Sequence, residues 1–228
     1  MIHLNLLVEG KTELQFAKSV LASHLALRQV HAYPITVLTS KDTGLHREFR
    51  GGVLSYAQVK ANLLRLVKRD QHKANAWFTT MVDLYRLPAD FPGYAGARGM
   101  RDPFRRVALL EDAWVRDVGC PRFIPYLQLH EYEALLLADP PSLGAFYQED
   151  AEPIRRLAEM AAGYRTPEEI DDGDTTAPSK RIIAEIPAYA QDKAVAGPFV
   201  AEKIGLPKLR QKCPHFNEWL DKLEALAS

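Results

Sequence analysis

This sequence predicts an α/β fold, a mostly parallel sheet flanked by helices, followed by a helical C-terminal extension. Three observations carry that expectation. Apolar strand-like runs alternate with helix-like segments over the first two-thirds of the chain, the order that a parallel sheet covered on both faces requires. The pair Pro140-Pro141 ends the alternation, and beyond it the periodicity is helical throughout. The first apolar run, IHLNLLV, passes through Glu9-Gly10 into a polar turn and an amphipathic stretch, the kind of strand-to-helix junction at which open α/β sheets hold ligands.

Taken in order, strands are expected near 2 to 8, 34 to 39 (PITVLT), 76 to 82 (AWFTTMV) and 122 to 129 (RFIPYLQL). Helices are expected near 11 to 27, 55 to 70, 103 to 118 and 132 to 138. These elements fill an α/β domain over 1–139. The extension, 140–228, reads as helices near 152 to 164, 179 to 190, 198 to 204 and 214 to 226, separated by PEE, DDGDTTAP, AGP and CP. Two long loops, 40 to 54 and 84 to 102, interrupt the α/β part, and the acidic stretch 171 to 177 reads as a loop as well; loops of this length carry function or disorder.

Composition narrows the function classes. A chain of 228 residues, 47% hydrophobic, buries a sizeable core. Lys plus Arg equals Asp plus Glu at 29 each, so any nucleic-acid site has to be a local patch. Cys120 and Cys213 lie far apart with no CxxC companion, which suggests reduced thiols and neither a zinc site nor a disulfide framework. No apolar run approaches bilayer length and no leader pattern opens the chain, so the expectation is a cytoplasmic protein with no membrane partner.

Gly10-Lys11-Thr12 looks like the end of a phosphate-binding P-loop, but the first glycine of that pattern falls on Asn5. Leu6, Leu7 and Val8 between them are strand residues, and a chain still running as strand cannot wrap its amides around a phosphate. The glutamate is the better clue. Glu9 ends the first strand, Asp83 ends the third, and Glu131 and Glu133 follow the fourth within QLHEYEALLLAD. In a parallel sheet these ends lie on one edge. Each acid alone reads as a helix N-cap or first-turn residue; together they repel unless a cation holds them. Carboxylates without cysteine are hard oxygen donors that favour Mg2+ or Mn2+, and such ions activate water and stabilise the leaving oxygen in phosphoester cleavage. Glu13, four after Glu9, joins the site or serves only the helix dipole. Glu131 and Glu133 share a face if their segment is extended and face opposite sides if it is helical, and both stay candidates. His130 reads as a ligand of phosphate or a structural residue.

VEGKTE, FTTMVDLYRLPADFPG, RFIPYLQLHEYEALLLAD and KIGLPKLRQKCPHFNEW together resemble the bacterial family called domain of unknown function 4276, a divergent Toprim-like group related to OLD-type nucleases. The resemblance spans nearly the whole chain and implies a Toprim-like sheet with Glu9 and Asp83 as magnesium ligands. It also implies the effector nuclease of a bacterial anti-phage defence module, driven by a separate ATPase of the AAA/ABC type. The pattern places a second acid two residues after the aspartate, and here that residue is Tyr85. OLD-type nucleases use a downstream lysine, and Lys180 in APSKR is the matching candidate for stabilising charge on a scissile phosphate.

A phosphodiester substrate, DNA or RNA, also calls for cations. Arg47 and Arg50 in HREFRGG, and Arg98 and Arg101 followed by Arg105 and Arg106, are candidate phosphate contacts, or a solvated face paired with Asp102, Glu111 and Asp112. The leading expectation is a metal-dependent nuclease or phosphoesterase with Glu9, Asp83 and Lys180 in catalysis. The alternatives are a non-catalytic interaction or regulatory subunit of an ATPase complex, and a nucleotide-binding protein using Lys11 and Thr12. Assembly as a homo-oligomer stays open.

Overall fold

The computed structural model describes residues 1–37, 55–170 and 173–227. Strand β1 (Ile2–Val8) runs into helix α1 (Lys11–Phe16), which continues through a π-helical turn (Ala17–Leu21) into α2 (Ala22–Ala26) and returns as β2 (Val30–Thr36). Next come α3 (Tyr56–Asp70), β3 (Ala76–Asp83), α4 (Tyr94–Ala97), α5 (Pro103–Val118), β4 (Phe123–Ile124) and β5 (Leu127–Gln128). The chain then turns helical: α6 (Glu133–Leu136), a 3-10 turn (Pro140–Ala145), α7 (Ala151–Ala161), a 3-10 turn (Pro167–Glu169), α8 (Pro178–Glu185), α9 (Tyr189–Ile204), α10 (Leu206–Lys212), α11 (Pro214–Glu224) and a last 3-10 turn (Ala225–Ala227).

Among the described residues the sheet order is β2-β1-β3-β4, with β5 also on β3, and every pairing is parallel. β1 is central and buried on both faces from Leu4 to Val8; one face is wholly apolar, and the other carries Asn5 beside Leu7, with Arg69 donating to the Asn5 side chain. Leu4, Leu6 and Val8 enter one core with α1, α9 and α11, while Leu7 enters a second core with Phe78, Val82, α3 and α5. The helix boundaries follow from capping. Ser55 Oγ accepts the Gln58 N–H and Gln58 Oε1 accepts the Ser55 N–H, closing a capping box on α3. Asp102 accepts from Phe104 and Arg105 at the start of α5, with Pro103 at its first position, and Gly119 in the left-handed conformation ends it.

Four expectations need correction. The second strand occupies 30–36 and not 34–39; among the described residues it lies at the sheet edge, a position that tolerates the missing N–H of Pro34. The fourth run is two short strands broken at Pro125, and the Thr80 hydroxyl bridges the gap by donating to Tyr126 O and accepting from Tyr126 N. The helix expected over 179–190 ends at Glu185, and a new helix starts at Tyr189. That helix, α9, runs through Ala196-Gly197-Pro198, where the sequence suggested a break. It survives Pro198 because tertiary packing holds it along α1, and Gly197 permits the approach: a Cβ there would lie 3.0 Å from Thr12 Cγ2 and 3.1 Å from Tyr132 Cε1.

The C-terminal helices are tied to the sheet. Trp219 of α11 stacks on Tyr126, with centroids 4.2 Å apart, and its Nε1–H donates to Thr79 Oγ1 at 2.9 Å. Thr79 in turn donates to Ile124 O. Both cysteines are free, and no helix among the described residues is long and apolar enough to cross a membrane.

Candidate functional site

Register decides where the acids go. Val8 pairs with Thr36 on one side and Met81 on the other, so the C-terminal ends of these strands sit level. Glu9 N donates to Met81 O at 3.1 Å, and Glu9 Oε2 accepts the main-chain N–H of Asp83 at 3.0 Å. The first strand's carboxylate is thereby fastened to the end of the third strand. Asp83 Oδ1 is buried and has no hydrogen-bond partner, an uncommon state for a buried oxygen.

Three more acids face the same region. Glu13 is buried in the first turn of α1 and its Oε2 accepts the Gly10 N–H at 2.9 Å. Glu131 lies just before α6 and is gripped from α8, by Ser179 N at 2.8 Å and Ser179 Oγ at 3.0 Å. Glu133, in the first turn of α6, accepts from Tyr189 Oη at 3.1 Å and pairs with Lys193 Nζ at 3.1 Å. Both candidates of the pair 131/133 therefore reach the cluster, because the helix begins between them.

Electrostatics bear out the crowding. Burial drives the Asp83 carboxyl well above its usual range, and Glu9, Glu13, Glu133 and Glu131 push it further. Burial likewise raises Glu9, with Glu131 adding and the Asp83 N–H pulling back. Glu13 is pushed up to about 7 by burial, reinforced by Glu9 and Glu133. For Glu131 burial and Glu133 outweigh the Ser179 donors and Lys193. Such acids hold protons unless a cation replaces them.

Glu9, Asp83 and Glu131 open onto a cavity of about 360 Å3, together with Lys180 and Lys193. Tyr56, Leu87 and Phe91 add apolar and aromatic lining to the same cavity. The backbone beside the acids is strained on two segments joined by a hydrogen bond: Arg86 and His130 both adopt left-handed backbone, φ 56° and 63°, and Tyr85 N donates to His130 O at 2.7 Å. Non-glycine residues held this way cost about 1–3 kcal/mol and gather at functional sites. Among the described residues, no three His, Cys, Asp or Glu side chains form a ready-made cation cage. The donor set nonetheless suits a hard divalent ion: all oxygen, mutually repelling, with one buried oxygen left unbonded.

A family model described as domain of unknown function (DUF4276) matches residues 8–224. The chain belongs to that family. No curated protein and no solved structure matches it. The matched span begins one residue before Glu9 and ends in α11, so the family's extent takes in the five acids together with Ser179, Lys180 and Lys193.

The other expected residues are placed differently. Arg98 and Arg101 are exposed around the α4–α5 turn and are not among the residues lining the cavity. Arg105 pairs with Asp102. Arg47 and Arg50 lie outside the described residues. Lys11 is exposed and absent from the cavity wall, and Leu6 to Val8 are strand, as the failed P-loop spacing requires. Sequence reasoning missed Ser179, Tyr189 and Lys193. The first follows Pro178 at a helix start, where a free N–H is available to a carboxylate. Tyr189 and Lys193 stand four apart on one helix face, a signal hidden by the mistaken helix boundaries.

Proposed function

We propose that this protein is a Mg2+- or Mn2+-dependent nuclease or phosphoesterase that cleaves nucleic-acid phosphodiesters. One observation carries the reading: Glu9, Asp83 and Glu131, delivered by three separate segments, open beside Lys180 and Lys193 into one cavity. Fold stability gives no reason to gather buried acids, since each raises the proton affinity of the next. Glu9, Asp83 and Glu131 would hold the ion, with Glu13 and Glu133 behind them. A bound divalent ion would supply an activated water and charge stabilisation at the leaving oxygen. Lys180 and Lys193 neutralise the phosphate, and Ser179 fixes the Glu131 carboxylate through two donors. The Toprim resemblance supports the same residues and extends the reading to a cytoplasmic anti-phage effector working with a separate ATPase.

A second reading is a non-catalytic interaction or regulatory subunit of an ATPase complex. It is favoured by Tyr85 in place of the second acid and by the lack of a ready-made cage among the described residues. Calorimetric titration of Mn2+ and Mg2+ into wild type, Glu9→Ala and Asp83→Ala, with cleavage assays on DNA and RNA, separates the two. The nuclease reading expects binding lost in both variants and ion-dependent cleavage lost with it. Wild type that binds neither ion and cuts neither nucleic acid overturns it.

A further inference from the structure

The cavity is lined by two chemically distinct sets of residues, and the proposed phosphodiester chemistry uses only one. The acids and lysines account for a phosphate and an ion. Tyr56, Val59, Leu87, Pro88 and Phe91 line the same space. The Tyr56 hydroxyl donates to Asp117, so this residue offers the cavity its ring and not its polar end. The Tyr56 ring meets Phe91 edge-on with centroids 5.0 Å apart, and Phe91 meets Trp114 in the same manner at 5.0 Å, which fixes this lining.

Tyr85 lines the cavity as well. Its hydroxyl oxygen is buried without a hydrogen-bond partner, as is Asp83 Oδ1 two residues earlier, and both residues line the cavity. Tyr85 is held there by its main-chain bond to His130 O, and the Arg86 guanidinium lies 5.1 Å from its ring centroid. Aromatic lining fixed by ring contacts, together with one unsatisfied hydroxyl in the same cavity, suits a flat group that is apolar on its face and polar at its edge. A nucleobase has that character. A volume of about 360 Å3 is near the lower end of small-ligand pockets, about 300–1,000 Å3, the scale of one nucleotide unit.

We infer that the aromatic lining of Tyr56, Leu87 and Phe91, with the Tyr85 hydroxyl, is a base-binding subsite that takes one unstacked nucleotide while its phosphate lies against the acids and lysines. The inference rests on the phosphodiesterase reading for its phosphate half and names that site's substrate class as nucleic acid with a splayed base. The position that lacks an acid thus gains a role: Tyr85 reads a base edge.

The test is calorimetric binding of 5′-AMP and of ribose 5-phosphate in Mg2+ to wild type, Tyr85→Phe and Phe91→Leu, beside the ion-binding and cleavage assays. AMP is expected to bind at least tenfold more tightly than ribose 5-phosphate, with that ratio reduced in both variants while ribose 5-phosphate binding is kept. Equal affinity for the two ligands, with ion binding and cleavage intact, overturns the base subsite and leaves the nuclease reading standing. AMP preference without ion binding or cleavage keeps the subsite and removes the nuclease reading. A ratio unaltered in both variants, or no AMP binding at millimolar concentration, overturns the inference.

Discussion

Lowering the pH from about 8 to about 5 without divalent cation should raise the melting temperature of this protein, against the common tendency of acid to destabilise. Glu13 and Glu168 set the size of the effect. Glu168 is fully buried beneath the start of α11, where His215 N donates at 2.9 Å and Phe216 N at 3.0 Å. Those donors favour the charged form, yet burial wins and pushes its carboxyl up to about 7. Glu13 is likewise pushed up to about 7. A carboxyl that titrates near 4.5 when unfolded and near 7 when folded binds more protons in the fold across that interval. Stability is therefore fully present below about 4.5 and is lost as the pH rises through about 7. At 1.36 kcal/mol per unit, each group contributes about 3 kcal/mol, which at roughly 2–4 °C per kcal/mol is roughly 6–12 °C as an upper bound.

The neighbours act with the same sign. Glu9, Asp83 and Glu131 are all raised, and His215 is raised because its bond to Glu111 overcomes burial. Asp117, Asp139 and Glu224 are lowered, and their losses come at more acid pH. The assay is thermal unfolding followed by circular dichroism at pH steps between about 5 and 8, on wild type and Glu13→Gln. Glu13→Gln should flatten part of the slope and leave the Glu168 part. Mn2+ at pH 8 should raise the wild-type melting temperature by occupying the acids, with no effect on the Glu168 share. A metal-free melting temperature that is level or falls toward pH 5 refutes the burial argument, and an unchanged slope in Glu13→Gln refutes the assignment.

Three further outcomes follow from packing. Thr79→Val leaves the buried Trp219 N–H without its acceptor and should cost about 1–3 kcal/mol in urea unfolding; combined with Trp219→Phe the loss should be less than additive, since the two changes remove one shared bond. Gly197→Ala should destabilise by about 1–3 kcal/mol, although alanine is the better helix former, because the new methyl meets Thr12 and Tyr132 at contact distances of 3.0 and 3.1 Å. A chain ended at Asp139 should fail to fold, as read by far-UV circular dichroism, because Leu4, Leu6, Val8 and Phe16 lose the helices that complete their core.

What the sequence made legible followed from period and register. The runs 2–8 and 76–82 are apolar enough to read as buried central strands, and once they are parallel neighbours Glu9 and Asp83 must meet. The edge strand was harder. VHAYPIT is half-buried with no clean alternation, and a proline in it drew the expected start of the strand forward. Glu131 and Glu133 could not be separated because the answer turns on one helix boundary, and boundaries depend on capping partners distant in sequence. Here the partner is Ser179, 48 positions away.

The cations mark the deeper limit of local reading. Clusters such as Arg98 to Arg106 stand out by proximity in sequence, but charge that is locally clustered is as well explained by solvated helix surface. Of the lysines that line the cavity, Lys180 stood out only through the family resemblance and Lys193 not at all; they come together because α8 and α9 fold back to the strand ends. A site with acids from a sheet and counter-charges from a later helical layer has no compact motif. Its legible half is the half whose geometry is fixed by the parallel sheet, which is why Glu9 and Asp83 emerge from 228 residues while Lys193 does not.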